Sequence, residues 1–401
     1  MKSTTFLIWF LITTLIVGIF SSNALALPIS EAVQAIADRL VVEQMQEGDS
    51  RGIWPEEADF TGSIVAGMAD AYELTSESAY KASAEFGGDY IFLSAQGSFY
   101  GDEAFALTRL SQIATDPCNN AWRTAVDFFY FSVKHDFGNT KEYIDRFIGT
   151  EPSTAVFYVA NHVVAAYFVD AEDREIWRQG LIDWLARVDD SSEFPVMALG
   201  IATWALAQTG PLDETLIDPS GEGAPYWKGK KLADLPGLLL SHQVASGLPG
   251  AGSFYWQFQH DVDAPNGYTE DTIFPTLGLV AASWANPDLD LDSAILAARE
   301  VLLGGISWDG IVRERLSQEG EFYYAYAGEM LQVLAALPIP GDINLDGNVD
   351  LIDLEILINN WGVSDCSEPS WCEGADLDKN GQVNIDDLEI MLDNWLIGKS
   401  D

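Results

Sequence analysis

Between Leu27 and Leu337 apolar residues recur at helical rather than alternating spacing, and no run reads as a row of strands. The segments Ile64 to Leu74, Phe105 to Ile113, Val156 to Phe168, Val196 to Ala207, Phe274 to Trp284 and Tyr326 to Ala336 are apolar or small nearly all round, as in helices buried on two sides. Amphipathic stretches lie between them, including Ser78 to Phe92, Asn120 to Val133, Arg174 to Val188 and Leu291 to Leu303. Small residues suit helices that converge on an axis, and one polar face suits helices that look out on water. The alternation predicts an all-α body, an (α/α)6 toroid of helical hairpins. An open α-solenoid has the same periodicity and differs only in closure.

The two ends of the chain break this pattern. Lys2 precedes an apolar run from Phe6 to Phe20, followed by the small residues Ala24-Leu25-Ala26. The run is short for a bilayer span, so residues 1–26 read as a signal peptide cleaved after Ala26, and an uncleaved anchor is the alternative. A secreted, extracellular or surface-associated protein with no membrane segment after cleavage is the expectation.

The last 60 or so residues are a duplication. Gly341-Asp342-Ile343-Asn344-Leu345-Asp346-Gly347-Asn348-Val349-Asp350-Leu351-Ile352-Asp353 returns 34 positions later as Ala375-Asp376-Leu377-Asp378-Lys379-Asn380-Gly381-Gln382-Val383-Asn384-Ile385-Asp386-Asp387. Each copy sets oxygen-bearing side chains at loop positions one, three, five, nine and twelve. A glycine stands at six, and the backbone carbonyl of Asn348 or Gln382 is available at seven. A hard cation such as Ca²⁺ needs these oxygens and the sharp turn that gathers them, so two Ca²⁺ sites are expected. Position twelve is Asp353 or Asp387, one methylene shorter than the usual Glu. The second loop has Asn380 and Asn384 where the first has Asp346 and Asp350, which lowers its charge and predicts weaker binding.

Behind each loop runs a helical stripe, Leu351, Leu354, Ile358 and Trp361, then Ile385, Leu388, Leu392 and Trp395, which predicts two helices packed on each other. Pro338 and Pro340 leave no room for an entering helix ahead of the first loop. Residues 338–341 read as a short linker between a 28–337 body and a 341–401 module. Cys366 and Cys372, between the repeats, are placed to close a short disulfide in an oxidising compartment. Cys118 has no visible partner and reads as a free structural thiol.

This duplicated loop-helix unit resembles a type I dockerin over about residues 341 to 398. The resemblance implies side-chain calcium ligands at Asp342, Asn344, Asp346, Asp350 and Asp353, then at Asp376, Asp378, Asn380, Asn384 and Asp387. It also implies a cohesin-bearing partner on a scaffold or cell surface, and a polysaccharide as the usual target of the carrier. The family's recognition positions, often a Ser-Thr pair, hold Leu351-Ile352 and Ile385-Asp386 here.

Charge sharpens these readings. With 62 Asp and Glu against 20 Lys and Arg the net charge is −42, which excludes a nucleic-acid partner. From residue 341 onward 15 acids face 2 lysines, so this small module repels itself until cations neutralise it, and its folding is expected to be coupled to calcium.

Candidate chemistry lies in the turns before the inner helices. Gly52-Ile53-Trp54-Pro55, Gly97-Ser98-Phe99-Tyr100-Gly101, Gly252-Ser253-Phe254-Tyr255-Trp256 and Gly320-Glu321-Phe322-Tyr323-Tyr324 each bring glycine and aromatics to a hairpin start, and acids follow three of them. These turns resemble those of the squalene cyclase and prenyltransferase superfamily of α/α toroids, and loosely those of toroidal polysaccharide lyases and hydrolases. The Asp-x-Asp-Asp cluster of a triterpene cyclase is absent, so the resemblance implies a fold and not that activity.

A glycan-acting site needs one protonated and one ionised carboxyl beside aromatic platforms. The candidates for acid and base are Glu270, Asp271, Asp102 and Glu103, with His260 as a further base. The candidate platforms are Trp54, Tyr100, Tyr255, Trp256, Tyr268 and Tyr323. Asp and Glu also cap helix starts, which is the competing explanation for all four acids. His162, in an apolar helix, reads as a core residue. A lyase would call on Arg109, Arg313 or Arg315. A secreted carbohydrate-active enzyme, more readily a hydrolase than a lyase, is the leading reading. A non-catalytic glycan-binding or structural toroid attached by the same tail is the alternative.

Overall fold

A computed structural model describes residues 28–48, 50–55, 58–95, 97–115, 120–135, 139–146, 150–343, 348–366, 371–372, 374–377 and 380–395. The proposed signal peptide, Glu56 and Glu57, Cys118, and the loop residues Asn344, Asp346 and Asp378 lie outside these. Among the described residues, strand pairing amounts to isolated bridges, and no helix is long and apolar enough to cross a membrane.

The main body is all-α. Its outer helices are α1 (Ile29–Glu43), α3 (Ser78–Ser94), α5 (Ala121–His135), α8 (Arg174–Leu185), α10 (Leu235–His242) and α12 (Asp292–Gly304). Its inner helices are α2 (Thr61–Thr75), α4 (Gly101–Gln112), α7 (Pro152–Phe168), α9 (Pro195–Thr209), α11 (Glu270–Ala285) and α13 (Tyr324–Ala336), and a short α6 (Thr140–Asp145) precedes α7. Each inner helix packs on the next in the order α2, α4, α7, α9, α11, α13, and α13 returns to α2. The ring closes, as an α/α toroid requires and an open solenoid does not. The periodicity had named every inner helix; α1 and the eight-residue α10 complete the outer set.

Closure brings backbones together. A Cβ on Gly67 of α2 would stand 2.1 Å from the carbonyl oxygen of Gly328 on α13, and one on Gly328 would stand 2.5 Å from Cα of Ile64. No larger residue fits this crossing, which explains why the inner segments are rich in small residues. Around it the inner faces are fully buried, as with Ile64, Met68, Leu199 and Leu331.

Behind the body lie α14 (Leu351–Asn359) and α15 (Ile385–Asp393), and Cys366 is disulfide-bonded to Cys372. The expected apolar stripes are corrected here. Leu351, Ile358, Trp361, Ile385 and Leu392 are exposed, and the core is built from Val349, Leu357, Val383, Met391 and Ala375. Leu354, Leu388 and Trp395 lie half-buried against it. The cause is the loop. Asp353 and Asp387 turn fully inward to accept loop N–H groups, so the residues four further on, Leu357 and Met391, share the buried face. Leu351 and Ile358 rotate out.

The Gly67–Gly328 crossing predicts that Gly67→Val destabilises the body by about 3 kcal/mol, because the clash is with backbone and cannot be relieved by a rotamer. Gly237→Ala on α10, where a Cβ meets nothing within 4 Å, should stay within about 1 kcal/mol of the parent. Urea midpoints at unchanged m-value check both.

Candidate functional site

The six inner helices start at one end of the ring, and the predicted acids and aromatics gather there. Gly101 opens α4 against α7, where a Cβ would lie 1.9 Å from the carbonyl oxygen of Tyr158. The next residue, Asp102, points its carboxyl at α2, close enough that a Cβ on Gly62 would sit 2.4 Å from Oδ2. Asp102 is 2% exposed, and neither carboxyl oxygen meets a hydrogen-bond donor at bonding geometry. Burial, then the neighbouring Glu103 charge, push its pKa up to about 7, and nearby backbone N–H groups only partly oppose this. Glu103 is half-buried and accepts the Tyr100 backbone N–H at 2.8 Å, the helix-start role that competes with a chemical one.

Across the ring, at the start of α11, the arrangement repeats. Asp271 is buried, its Oδ1 lacks a partner, and burial followed by the Glu270 charge raise its pKa well above the carboxylate range. Half-buried Glu270 faces Tyr326 of α13, whose hydroxyl pKa is raised by burial and then by Glu270, Glu329 and Glu314. Glu329 is 2% exposed. Glu314 and Glu329 were not singled out from sequence, although an acid inside the small, apolar run Ala325 to Ala336 was a readable signal.

The aromatics divide. Tyr100, 55% exposed, stands 5.5 Å from Tyr158, and Tyr323, 40% exposed, is 5.3 Å from Tyr326. Trp256 donates to the carbonyl of Glu193 and lies 5.7 Å from Tyr268, which carries the Arg315 guanidinium 3.8 Å above its ring. Two candidate platforms are corrected. Trp54 is wholly buried with its indole N–H donating to the Leu40 carbonyl at 2.8 Å, so it pins the end of α1. Tyr255 is 4% exposed and stacked on His260 at 3.9 Å.

His260 belongs to a separate cluster, its Nε2 lying 3.2 Å from Nδ1 of His242, whose Nε2 is 3.0 Å from the Tyr226 hydroxyl. Burial, with His260 and Lys230 nearby, holds the His242 pKa down at about 3. His162 is a core residue, fully buried beside Trp177 and Phe129 with its pKa lowered by burial to about 3. Of the arginines, Arg313 donates to the Gly320 carbonyl, and Arg109 lies at the other end of the ring with Asp70 and Glu73.

In the C-terminal module the two repeats fold alike. Asp353 accepts N–H groups of Ile343 and Asp350 at 2.7 and 2.9 Å, and Asp387 accepts those of Leu377 and Asn384 at 2.7 and 2.8 Å. Asp350 and Asn384 each accept the N–H two residues on, at 2.7 Å. Asp376 accepts from Asn380 and Gly381, and Asn380 from Gln382. Asp353, Asp376 and Asp387 are buried, and the loop side chains described with them, Asp350, Asn380 and Asn384, offer oxygen donors of the kind a hard divalent cation takes.

Asp102 yields a pH prediction. Its folded pKa lies above its unfolded value near 4, so its contribution to stability is full below pH 4 and is lost as pH rises to about 7. Asp102→Asn should match the parent near pH 4 and exceed it above pH 7, by about 4 kcal/mol at most. Thermal unfolding between pH 4 and 8 measures this.

Comparison with known proteins adds the following. The model of the Dockerin type I domain matches residues 340–394. No curated protein matches the chain. Among solved structures, the GH76A alpha-1,6-mannanase from Salegentibacter sp. HEL1_6 is similar at 13% identity and a TM-score of 0.48, covering 77% of this chain and 98% of its own. An inactive variant of that mannanase in complex with alpha-1,6-mannotriose gives 15% and 0.47, covering 77% and 99%. The Lin0763 protein from Listeria innocua gives 12% and 0.48, covering 77% and 97%. The chain thus carries a C-terminal dockerin type I domain behind an all-α body.

Proposed function

We propose that the chain is a carbohydrate-active protein whose body, residues 28–337, works on a polysaccharide at the inner-helix start rim and whose tail anchors it to a cohesin-bearing partner. The observation that carries the catalytic part is the pairing of carboxyls. At opposed points of the rim, a buried carboxyl whose pKa is raised by burial (Asp102, Asp271) adjoins a more accessible glutamate (Glu103, Glu270). Glycoside hydrolysis needs one proton donor and one ionised carboxylate, and burial supplies the difference in protonation state. Tyr100, Tyr158, Trp256, Tyr268 and Tyr323 offer flat faces to sugar rings on the same rim. Roles follow from this division. The aspartic acids, whose pKa values burial raises, serve as proton donors, the more accessible glutamates serve as the partner carboxyls, and the tyrosines orient the chain of sugars.

The dockerin domain supports the second half. In this reading Asp342, Asn344, Asp346, Asp350 and Asp353 with the Asn348 carbonyl hold one Ca²⁺. Asp376, Asp378, Asn380, Asn384 and Asp387 with the Gln382 carbonyl hold the other. The ion supplies the cross-link that offsets the module's crowded negative charge. Leu351, Ile352 and Ile385, exposed at the loop exits, give the cohesin an apolar face in place of the usual hydroxyls. Export and a surface location follow from that attachment.

Incubating the mature chain with a panel of neutral and acidic polysaccharides should release reducing ends. Asp102→Asn and Glu270→Gln should lower the rate by about a hundredfold or more with binding in affinity electrophoresis retained. Unsaturated products absorbing in the ultraviolet would indicate elimination instead, and binding without cleavage would indicate a non-catalytic toroid. Calorimetric titration of the calcium-free chain should resolve two sites, the first about tenfold tighter because its loop carries more charge. Two equal sites would overturn that order. Chelation should remove the module's helical signal and its resistance to proteases.

A further inference from the structure

We propose that the opposite end of the ring, where the inner helices finish, holds a second binding site that takes a single neutral sugar ring. A recess of about 190 Å³ opens there, and all six inner helices contribute to its wall. Its depth is polar. Arg109 of α4 donates to Asp70 at 2.7 Å and also to Glu73, both on α2. Asp70 is 8% exposed, so a charged pair sits in the lumen beside the apolar side chains of Phe105, Val164 and Leu277. Packing alone would fill this space with hydrocarbon more cheaply, since burying ions costs more than burying methylenes.

The mouth is aromatic. Trp284 at the end of α11 is 57% exposed, and Trp204 of α9 forms part of the wall, 8% exposed and edge-on to Phe105 at 5.3 Å. Gln208, one turn beyond Trp204, presents an exposed amide to the same opening.

Planar polar groups fixed in place beside an indole face match a pyranose, whose hydroxyls exchange hydrogen bonds in the ring plane and whose C–H face lies on the aromatic. Charge argues for a neutral ring. The helix C-termini and the two carboxylates disfavour an anion, and an ammonium would have to displace Arg109 from both acids. Volume argues for one ring. The recess would hold about six waters and falls below the ~300–1,000 Å³ of drug-sized sites. The proposal is independent of whether the rim is catalytic, because it uses none of the rim residues.

The test uses the full mature chain with calcium and the methyl glycosides of glucose, galactose, mannose and xylose as probes, read by saturation-transfer NMR and tryptophan fluorescence. Trp284→Ala and Gln208→Ala are surface changes that leave the core intact, and Tyr100→Ala perturbs the rim. At least one glycoside should bind, at least tenfold more weakly in Trp284→Ala and several-fold more weakly in Gln208→Ala, with Tyr100→Ala unchanged. Binding that survives Trp284→Ala and fails in Tyr100→Ala would overturn this site while supporting the rim. Absence of binding by every glycoside, with polysaccharide cleavage intact, would overturn it and leave the proposed function standing.

Discussion

Backbone contact between inner helices is the constraint on which the rest of the body depends. Where α2 crosses α13, Gly67 and Gly328 leave no space for any side chain, and Gly101 sets the start of α4 against α7 in the same way. Helices this close leave a narrow lumen, so the polar groups that remain inside it are few. Asp102 lies wedged at Gly62 for this reason, cut off from water, and its raised pKa is a direct result of the crossing geometry.

Because all six inner helices run the same way, the ring has two electrostatically different ends. Their N-termini favour negative charge and their C-termini positive charge. Glu103 and Glu270 follow that rule at the first end, whereas at the second a single arginine, Arg109, is paired with two acids, Asp70 and Glu73. Burial overrides it at Asp102 and Asp271, since the dipole of a helix start is worth less than the loss of hydration in a closed ring. The dockerin domain leaves from the end of α13, so the acid-rich rim faces away from the point of attachment.

In the dockerin domain the carboxylate at loop position twelve decides which side of the following helix is buried. Asp353 and Asp387 reach back to loop N–H groups, and the helix must turn to let them. Leu357 and Met391 are carried inward and a set of larger apolar residues outward. An apolar stripe counted by hydrophobicity alone misses this rotation, because the polar anchor outweighs a leucine in so small a core.

Local rules sufficed for much of this protein. The inner helices were legible because a helix buried on two sides must be apolar or small all round. The calcium loops were legible because oxygen spacing within twelve residues is a local property. The four rim acids could be located at helix starts, since glycine and aromatics punctuate each hairpin before them. What sequence could not decide was which side of a turn faces the lumen. Trp54 and Tyr255 stand in the same kind of turn as Tyr100, yet the first two are buried under neighbouring helices. Glu329 joins Glu270 because α11 and α13 are adjacent in the ring, and Glu314 because the loop before α13 accepts the Thr269 N–H at the start of α11. Closure, the protonation of Asp102 and the recess around Arg109 likewise came from tertiary structure alone, because each depends on distances between segments far apart in the chain.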